Sequence, residues 1–340
     1  MKYINIANRC VVQMESSITT LVTEFVHHIQ ESDGGLPVVG QVIKDVSLTC
    51  PADAVMLLDK KLYTDNKNLF IFEGDRTYKV ELTEQSFSIV VNGIDTAGVL
   101  PILVQSLLYF YMPQYSLVFL HTAAYLMGKE VVAIHGFGGA GKTEVMLSML
   151  QRGARYLADD LAIFDTEGIL YPYLRRISLH DYPYTDIQLR QFHLSRWRYR
   201  LMTRCRNKSG RFKDYIYRRY RGRFNISIDY LQMTDGIETQ ANQPFVVNRH
   251  YWLDSCNATG LRSMSKECFV RNMSFCMQNE SRSYLDFDGY CGLVYPFWKD
   301  IRTKYHDVMQ NVLNAIDIHG LTIAGQHYEE LASLLDNQTN

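Results

Sequence analysis

The chain has 340 residues, is 47% hydrophobic and carries a net charge of −1. That composition, with a mean hydropathy of −0.16, fits a soluble globular protein with a sizeable core in one large domain or two smaller ones. Its seven cysteines are scattered and form no C-x-x-C pair, which argues against a disulfide framework and a zinc site and for reduced thiols in a cytoplasm.

The first residues, Met1 to Arg9, hold no long apolar run of the kind a signal peptide needs. Ile18 to Gln30 places Leu21, Val22, Phe25, Val26 and Ile29 at helical spacing and predicts a helix. Four short apolar or alternating runs follow: Val55–Leu58, Leu69–Phe72, Tyr78–Leu82 and Phe87–Val91. Turn residues such as Gly74-Asp75 and Asn92-Gly93 separate them. Residues 1–95 therefore read as a small β-rich N-terminal module with no visible chemistry.

Val99 to Leu120 is uncharged and long enough to cross a bilayer. It is interrupted by Pro101, Gln105, Pro113 and Gln114. The expected structure is a buried helix over 97–111, a turn at Pro113 and a buried strand, with no transmembrane segment. From here to about 185 helix and strand alternate, the grammar of an α/β fold.

Gly136-Phe137-Gly138-Gly139-Ala140-Gly141-Lys142-Thr143 fits G-x-x-x-x-G-K-[ST], the phosphate-binding P-loop. At average residue usage a chain of this length meets the pattern by chance roughly once in a hundred. An apolar strand-like run, Glu130–Ile134, precedes it and a helix-like run, Glu144–Arg152, follows. Strand, glycine turn and helix let backbone N–H groups point at a phosphate. Gly138, Gly139, Ala140 and Gly141 would cradle the phosphates and Lys142 would reach the terminal ones. The Thr143 hydroxyl would ligate Mg²⁺.

Ala154 to Phe164 reads as a central strand, apolar except for Asp159 and Asp160. Neighbouring strand residues face opposite ways, so the two carboxylates can serve different tasks: holding the metal and orienting the acceptor. Glu144 suits the first turn of a helix, and His121 begins the strand-like segment ahead of the loop. Farther on, Phe245–Leu253 and Leu321–Ala324 read as strands, and Trp298–Ile316 and Tyr328–Leu335 as helices.

Leu120-His121, the P-loop with Glu144, Arg152-Gly153-Ala154-Arg155 and Leu157-Ala158-Asp159-Asp160 together resemble the catalytic domain of HPr kinase/phosphorylase and the wider HPr-kinase-related proteins. The match runs without gaps over the 40 residues from His121 to Asp160. The resemblance implies a mixed-sheet P-loop kinase core of the type shared with phosphoenolpyruvate carboxykinase, occupying 96–340. It implies ATP or another nucleoside triphosphate as donor, Mg²⁺ as cofactor, a hydroxyl acceptor (typically serine) and a homo-oligomer. Gly136, Gly141, Lys142 and Thr143 match the nucleotide site. Asp159 matches the carboxylate that activates the acceptor, Asp160 a metal-associated carboxylate, and His121 and Glu144 two further family positions. The Glu-x-Arg-Gly-x-Gly signature of the bifunctional enzymes is missing. Tyr173 to Asp181 stands in its place, where Arg175 or Arg176 could meet a phosphate and His180 or Asp181 replace the acid. HPr and phosphorolysis are therefore poor expectations. A peptide or protein serine kinase, a small-molecule kinase and a nucleotide-binding regulator without turnover stay open.

Arg190 to Arg223 holds thirteen Lys/Arg and one acid, a net +12 in 34 residues that leaves −13 for the rest. Seven aromatics interleave. This insert, at about 190–224, reads as a solvated hairpin or as a seat for an acidic peptide. Nucleic acid and an anionic membrane surface rank below these.

Overall fold

A computed structural model describes residues 1–21, 23–58, 61–73, 76–93, 99–175, 177–179, 226–228, 241–256, 259–281, 287–324 and 328–339. Residues 1–174 with 239–340 make one compact unit, and 175–238 make another. The fold is mixed α/β, with sheets that combine parallel and antiparallel pairs.

The N-terminal strands are β1 (Lys2–Ile6), β2 (Cys10–Met14), β3 (Ile29–Gln30), β4 (Val38–Lys44), β5 (Val55–Leu58), β6 (Leu62–Thr64), β7 (Asn68–Glu73), β8 (Arg76–Leu82) and β9 (Phe87–Val91). They form a nine-stranded sheet in the order β3-β1-β2-β4-β9-β8-β7-β6-β5, parallel only at β2/β4 and β4/β9. All four predicted strands are present. The helix expected over 18–30 is not. The chain makes two 3-10 segments, Ser16–Leu21 and Thr23–His28, and then β3. Ile18, Thr19, Thr20 and Thr23 are β-branched and lose rotamer freedom in an α-helix, which weakens the apolar pattern's claim.

Helix α1 (Val99–Tyr111) is buried on nearly all sides, and a 3-10 turn at Met112–Tyr115 carries Pro113 into β10 (Leu117–Leu120). The long uncharged stretch is thus a core helix followed by a core strand. Among the described residues no helix is long and apolar enough to cross a membrane.

Next come β11 (Thr122–Met127), β12 (Glu130–His135), α2 (Lys142–Gln151), β13 (Arg155–Ala158), β14 (Ala162–Asp165) and β15 (Ile169–Tyr171). In the second unit β16 (Ile177–Leu179) pairs with β17 (Ile226–Ile228). The remaining elements are β18 (Phe245–Val246), β19 (Arg249–Cys256), β20 (Gly260–Arg262), α3 (Lys266–Ser281), α4 (Phe287–Val294), α5 (Trp298–Ala315), β21 (Ile318–Ala324) and α6 (Tyr328–Thr339). A six-stranded sheet runs β13-β11-β12-β19-β21-β20, and a four-stranded antiparallel sheet runs β10-β14-β15-β18.

The strand expected over 154–164 is two strands in two sheets. They are broken where Asp160 adopts a left-handed φ of 69°. Two adjacent carboxylates inside one apolar strand would both be desolvated. The turn leaves Asp159 buried and exposes half of the Asp160 side chain.

β13 and β12 are both antiparallel to the β11 between them, so they run parallel to each other. The loop after β12 and the acidic turn after β13 therefore leave the sheet at one edge. The start of β11, next to His121, lies at that edge too, and Thr122 pairs with His135. One apolar cluster runs from the N-terminal strands through α1 and β10 to α3 and α5, and fixes this edge against α3.

Candidate phosphate site

Gly139 and Gly141 take φ of 79° and 99°, values that L side chains rarely adopt. Gly136 is required for a different reason. A Cβ there would lie 2.8 Å from the Leu253 carbonyl oxygen on β19. Gly141 opens α2 with no side-chain cap, so the first-turn N–H groups face the loop. Lys142 is buried and folds back: its Nζ donates to the carbonyl oxygens of Gly136 at 3.0 Å and Phe137 at 3.1 Å. Gly138 and Ala140 complete the turn, with the Ala140 N–H donating to Phe137 O.

The acidic turn supplies two separate contacts. The Thr143 hydroxyl donates to Asp159 Oδ1 at 2.9 Å. Asp160 turns the other way and meets His121 Nε2 at 3.1 Å. Asp159 thus sits with the P-loop threonine and Asp160 with the histidine. Glu144 is buried beside Asp159, and among the described residues no other residue hydrogen-bonds to its carboxylate oxygens. Burial pushes its carboxyl up to about 7. Its own backbone N–H and Lys142 oppose this shift and the Asp159 charge adds to it. Thr143, Asp159 and Glu144 together offer hard oxygen donors, the set Mg²⁺ prefers.

Three contributors lie outside the sequence expectations. On α3, Cys276 Sγ lies 3.0 Å from His121 Nδ1 and 3.8 Å from Gly136 O, and the His121 N–H meets Met277 Sδ at 3.2 Å. Beneath the loop, His135 Nε2 and His250 Nδ1 are 3.1 Å apart in stacked rings. Thr122 Oγ1 meets His135 Nδ1 at 2.8 Å. Burial holds His135 well below its ordinary value and brings His250 down to about 3, which favours the neutral imidazole at both. At the mouth, exposed Phe137 stands edge-on to Trp252 and Phe275. Only chain-distant contact reveals these groups; no local motif marks Cys276, His135 or His250.

Arg175 belongs to the second unit. Arg176, His180, Asp181 and the basic insert at 190–224 lie outside the described residues. No family model matches the chain, and no curated protein matches it in sequence.

Proposed function

We propose that this chain is a Mg²⁺-dependent kinase that moves the terminal phosphate of a nucleoside triphosphate, ATP in the first instance, to a hydroxyl. The acceptor is most simply a serine in a peptide or protein, and the core is of the HPr-kinase-like type. One observation carries the reading. A glycine loop with an inward lysine, a Thr–Asp contact and a His–Asp contact converge at a single sheet edge, from three strands that the chain could have sent elsewhere.

Loop N–H groups and Lys142 would bind and orient the β- and γ-phosphates. Thr143 and Asp159, with Glu144 behind them, would hold the cation, whose chemistry is to neutralise charge shared by those phosphates. Half-exposed Asp160, steadied by His121, would take the proton of the acceptor hydroxyl. This division reverses the one the family resemblance implies for the two aspartates, and it follows from the Thr143–Asp159 and His121–Asp160 distances.

The test is incubation with γ-labelled ATP and Mg²⁺ in a lysate of the source cell, beside Lys142→Ala. A labelled species that requires Lys142 supports the kinase. Nucleotide binding with no label on any lysate component favours a nucleotide-sensing regulator, the reading to which the missing Glu-x-Arg-Gly-x-Gly signature points.

A further inference from the structure

Cys276 contacts two functional groups at once. Its Sγ is 3.0 Å from His121 Nδ1, and the other ring nitrogen is 3.1 Å from Asp160 Oδ1. Sulfur, imidazole and carboxylate in line have the geometry of an activated-thiol triad: a nucleophile, a base within proton-transfer distance and an acid that orients the base. The same Sγ lies 3.8 Å from the carbonyl oxygen of Gly136, the first P-loop glycine, to which Lys142 also donates. The thiol donates toward Gly136 O in this geometry, and in the tautomer that carries its proton on Nε2, His121 directs that N–H at Asp160 and offers Nδ1 to the thiol.

The protein supplies its own controls. Cys10 and Cys291 are fully buried, as Cys276 nearly is. Burial pushes the Cys10 thiol up to about 12 and holds the Cys291 thiol well above its ordinary value. Among the described residues neither thiol has a hydrogen-bonding base.

We propose that Cys276 is a modification site: a thiol primed by His121 and Asp160 to react with peroxides and soft electrophiles, whose adduct unseats the P-loop. With hydrogen peroxide, His121 accepts the thiol proton and sulfur attacks one peroxide oxygen. The S–O bond forms as the O–O bond breaks. Sulfur loses two electrons, and the departing oxygen takes them with the proton from His121 and leaves as water. The product is a sulfenic acid, which thiols reduce. The added oxygen needs room between His121 and Gly136. Gly136 has no spare room on its Cβ side, where an added carbon would lie 2.8 Å from the Leu253 carbonyl oxygen. The loop must yield, and phosphate binding falls with it.

The thiol's reactivity stands apart from the kinase reading; only its consequence for nucleotide rests on that reading. The experiment is a short iodoacetamide pulse near neutral pH, with each cysteine peptide quantified by mass spectrometry. The expected result is alkylation of Cys276 at least about tenfold faster than Cys10 and Cys291. His121→Gln and the milder Asp160→Asn, on a half-exposed side chain, should both remove that excess. Peroxide should place a dimedone-trappable sulfenic acid on Cys276, and MgATP affinity should fall about tenfold and return with dithiothreitol. Cys276 reacting no faster than the two buried controls overturns the proposal, as does full reactivity in both variants. A modified protein that binds MgATP as tightly as the unmodified one overturns the link to the loop. Failure of the untreated protein to bind MgATP at all refutes the kinase reading, and the alkylation contrast still decides the thiol.

Discussion

Replacing His250 with Gln probes the floor beneath the P-loop. His250 is buried at the start of β19, with His135 on β12 at 3.1 Å and the Phe164 ring of β14 beside it. Burial is the main cause of its low value of about 3, and Lys266 on α3 and His319 on β21 push the same way. Unfolded, the imidazole titrates near 6.5. Above that pH neither state is protonated and this group's full contribution is present. As pH falls below 6.5 the unfolded chain takes up a proton that the folded chain refuses, so stability drops by about 1.4 kcal/mol per pH unit. At pH 5 the loss from this one group is about 2 kcal/mol, a sizeable share of a total of about 5–15 kcal/mol. Gln does not titrate. His250→Gln should therefore be the less stable protein at pH 8, by the cost of the lost ring contacts, and that deficit should shrink by about 2 kcal/mol at pH 5. The assay is urea unfolding of both proteins at pH 8, 7, 6 and 5 at fixed ionic strength, with the difference between them plotted against pH. Groups away from His250, such as Glu144, cancel in that difference; His135 keeps the burial that is the main cause of its own low value. A deficit independent of pH, or one that widens toward pH 5, refutes a neutral buried His250.

The two aspartates give opposite expectations. Asp159→Asn should weaken MgATP binding about tenfold, read by calorimetry with and without Mg²⁺. Asp160→Asn should leave that affinity nearly unchanged and slow phosphate transfer about a hundredfold. The reverse outcome would restore the roles implied by the family resemblance. At Gly136→Ala the new Cβ meets the Leu253 carbonyl at 2.8 Å. The loop must move, so MgATP affinity should fall while the N-terminal sheet is untouched; wild-type affinity in this variant would show that the loop tolerates displacement. In the N-terminal sheet a Cβ on Gly40 would lie 2.3–2.6 Å from three atoms of the Phe87 ring. Gly40→Ala should cost about 1–3 kcal/mol in chemical denaturation. Phe87→Leu in the same chain should recover part of it, as coupled neighbours do; strictly additive losses would mean that the ring does not cover the glycine.

What could be read from the chain was whatever short-range chemistry decides. The glycine loop and its flanking strand and helix are local, since the residues that need positive φ and those that form β12 and α2 lie within a few positions of one another. The alternating runs of the N-terminal sheet are local as well, and Tyr78–Leu82 alternates because one face of β8 is buried. Residues 18–30 show where this fails. Their apolar spacing is helical, but their β-branched content and their contacts, such as His28 Nε2 accepting the Leu174 N–H, belong to a 3-10 path into β3. Cys276 reaches His121 across 155 positions and His250 reaches His135 across 115. No periodicity signals either contact, because each depends on which helix or strand the sheet order brings alongside.

The acidic pair shows how a misread element can carry the most chemistry. A strand through Asp159 and Asp160 satisfies the apolar pattern on both sides, and its single defect is two desolvated carboxylates. The fold resolves that defect by breaking the strand. Aspartate tolerates the left-handed conformation better than most residues, so a turn at Asp160 is cheaper than a second buried charge. The turn gives one carboxylate to the Thr143 hydroxyl in the interior and hands the other, half in solvent, to His121. Different environments for neighbouring carboxylates are what the proposed phosphate transfer would require, one to hold positive charge and one to accept a proton. The same turn commits His121 to Asp160 through Nε2, which leaves Nδ1 for Cys276. The reactive-thiol geometry is thus a consequence of how the chain avoided burying two charges side by side.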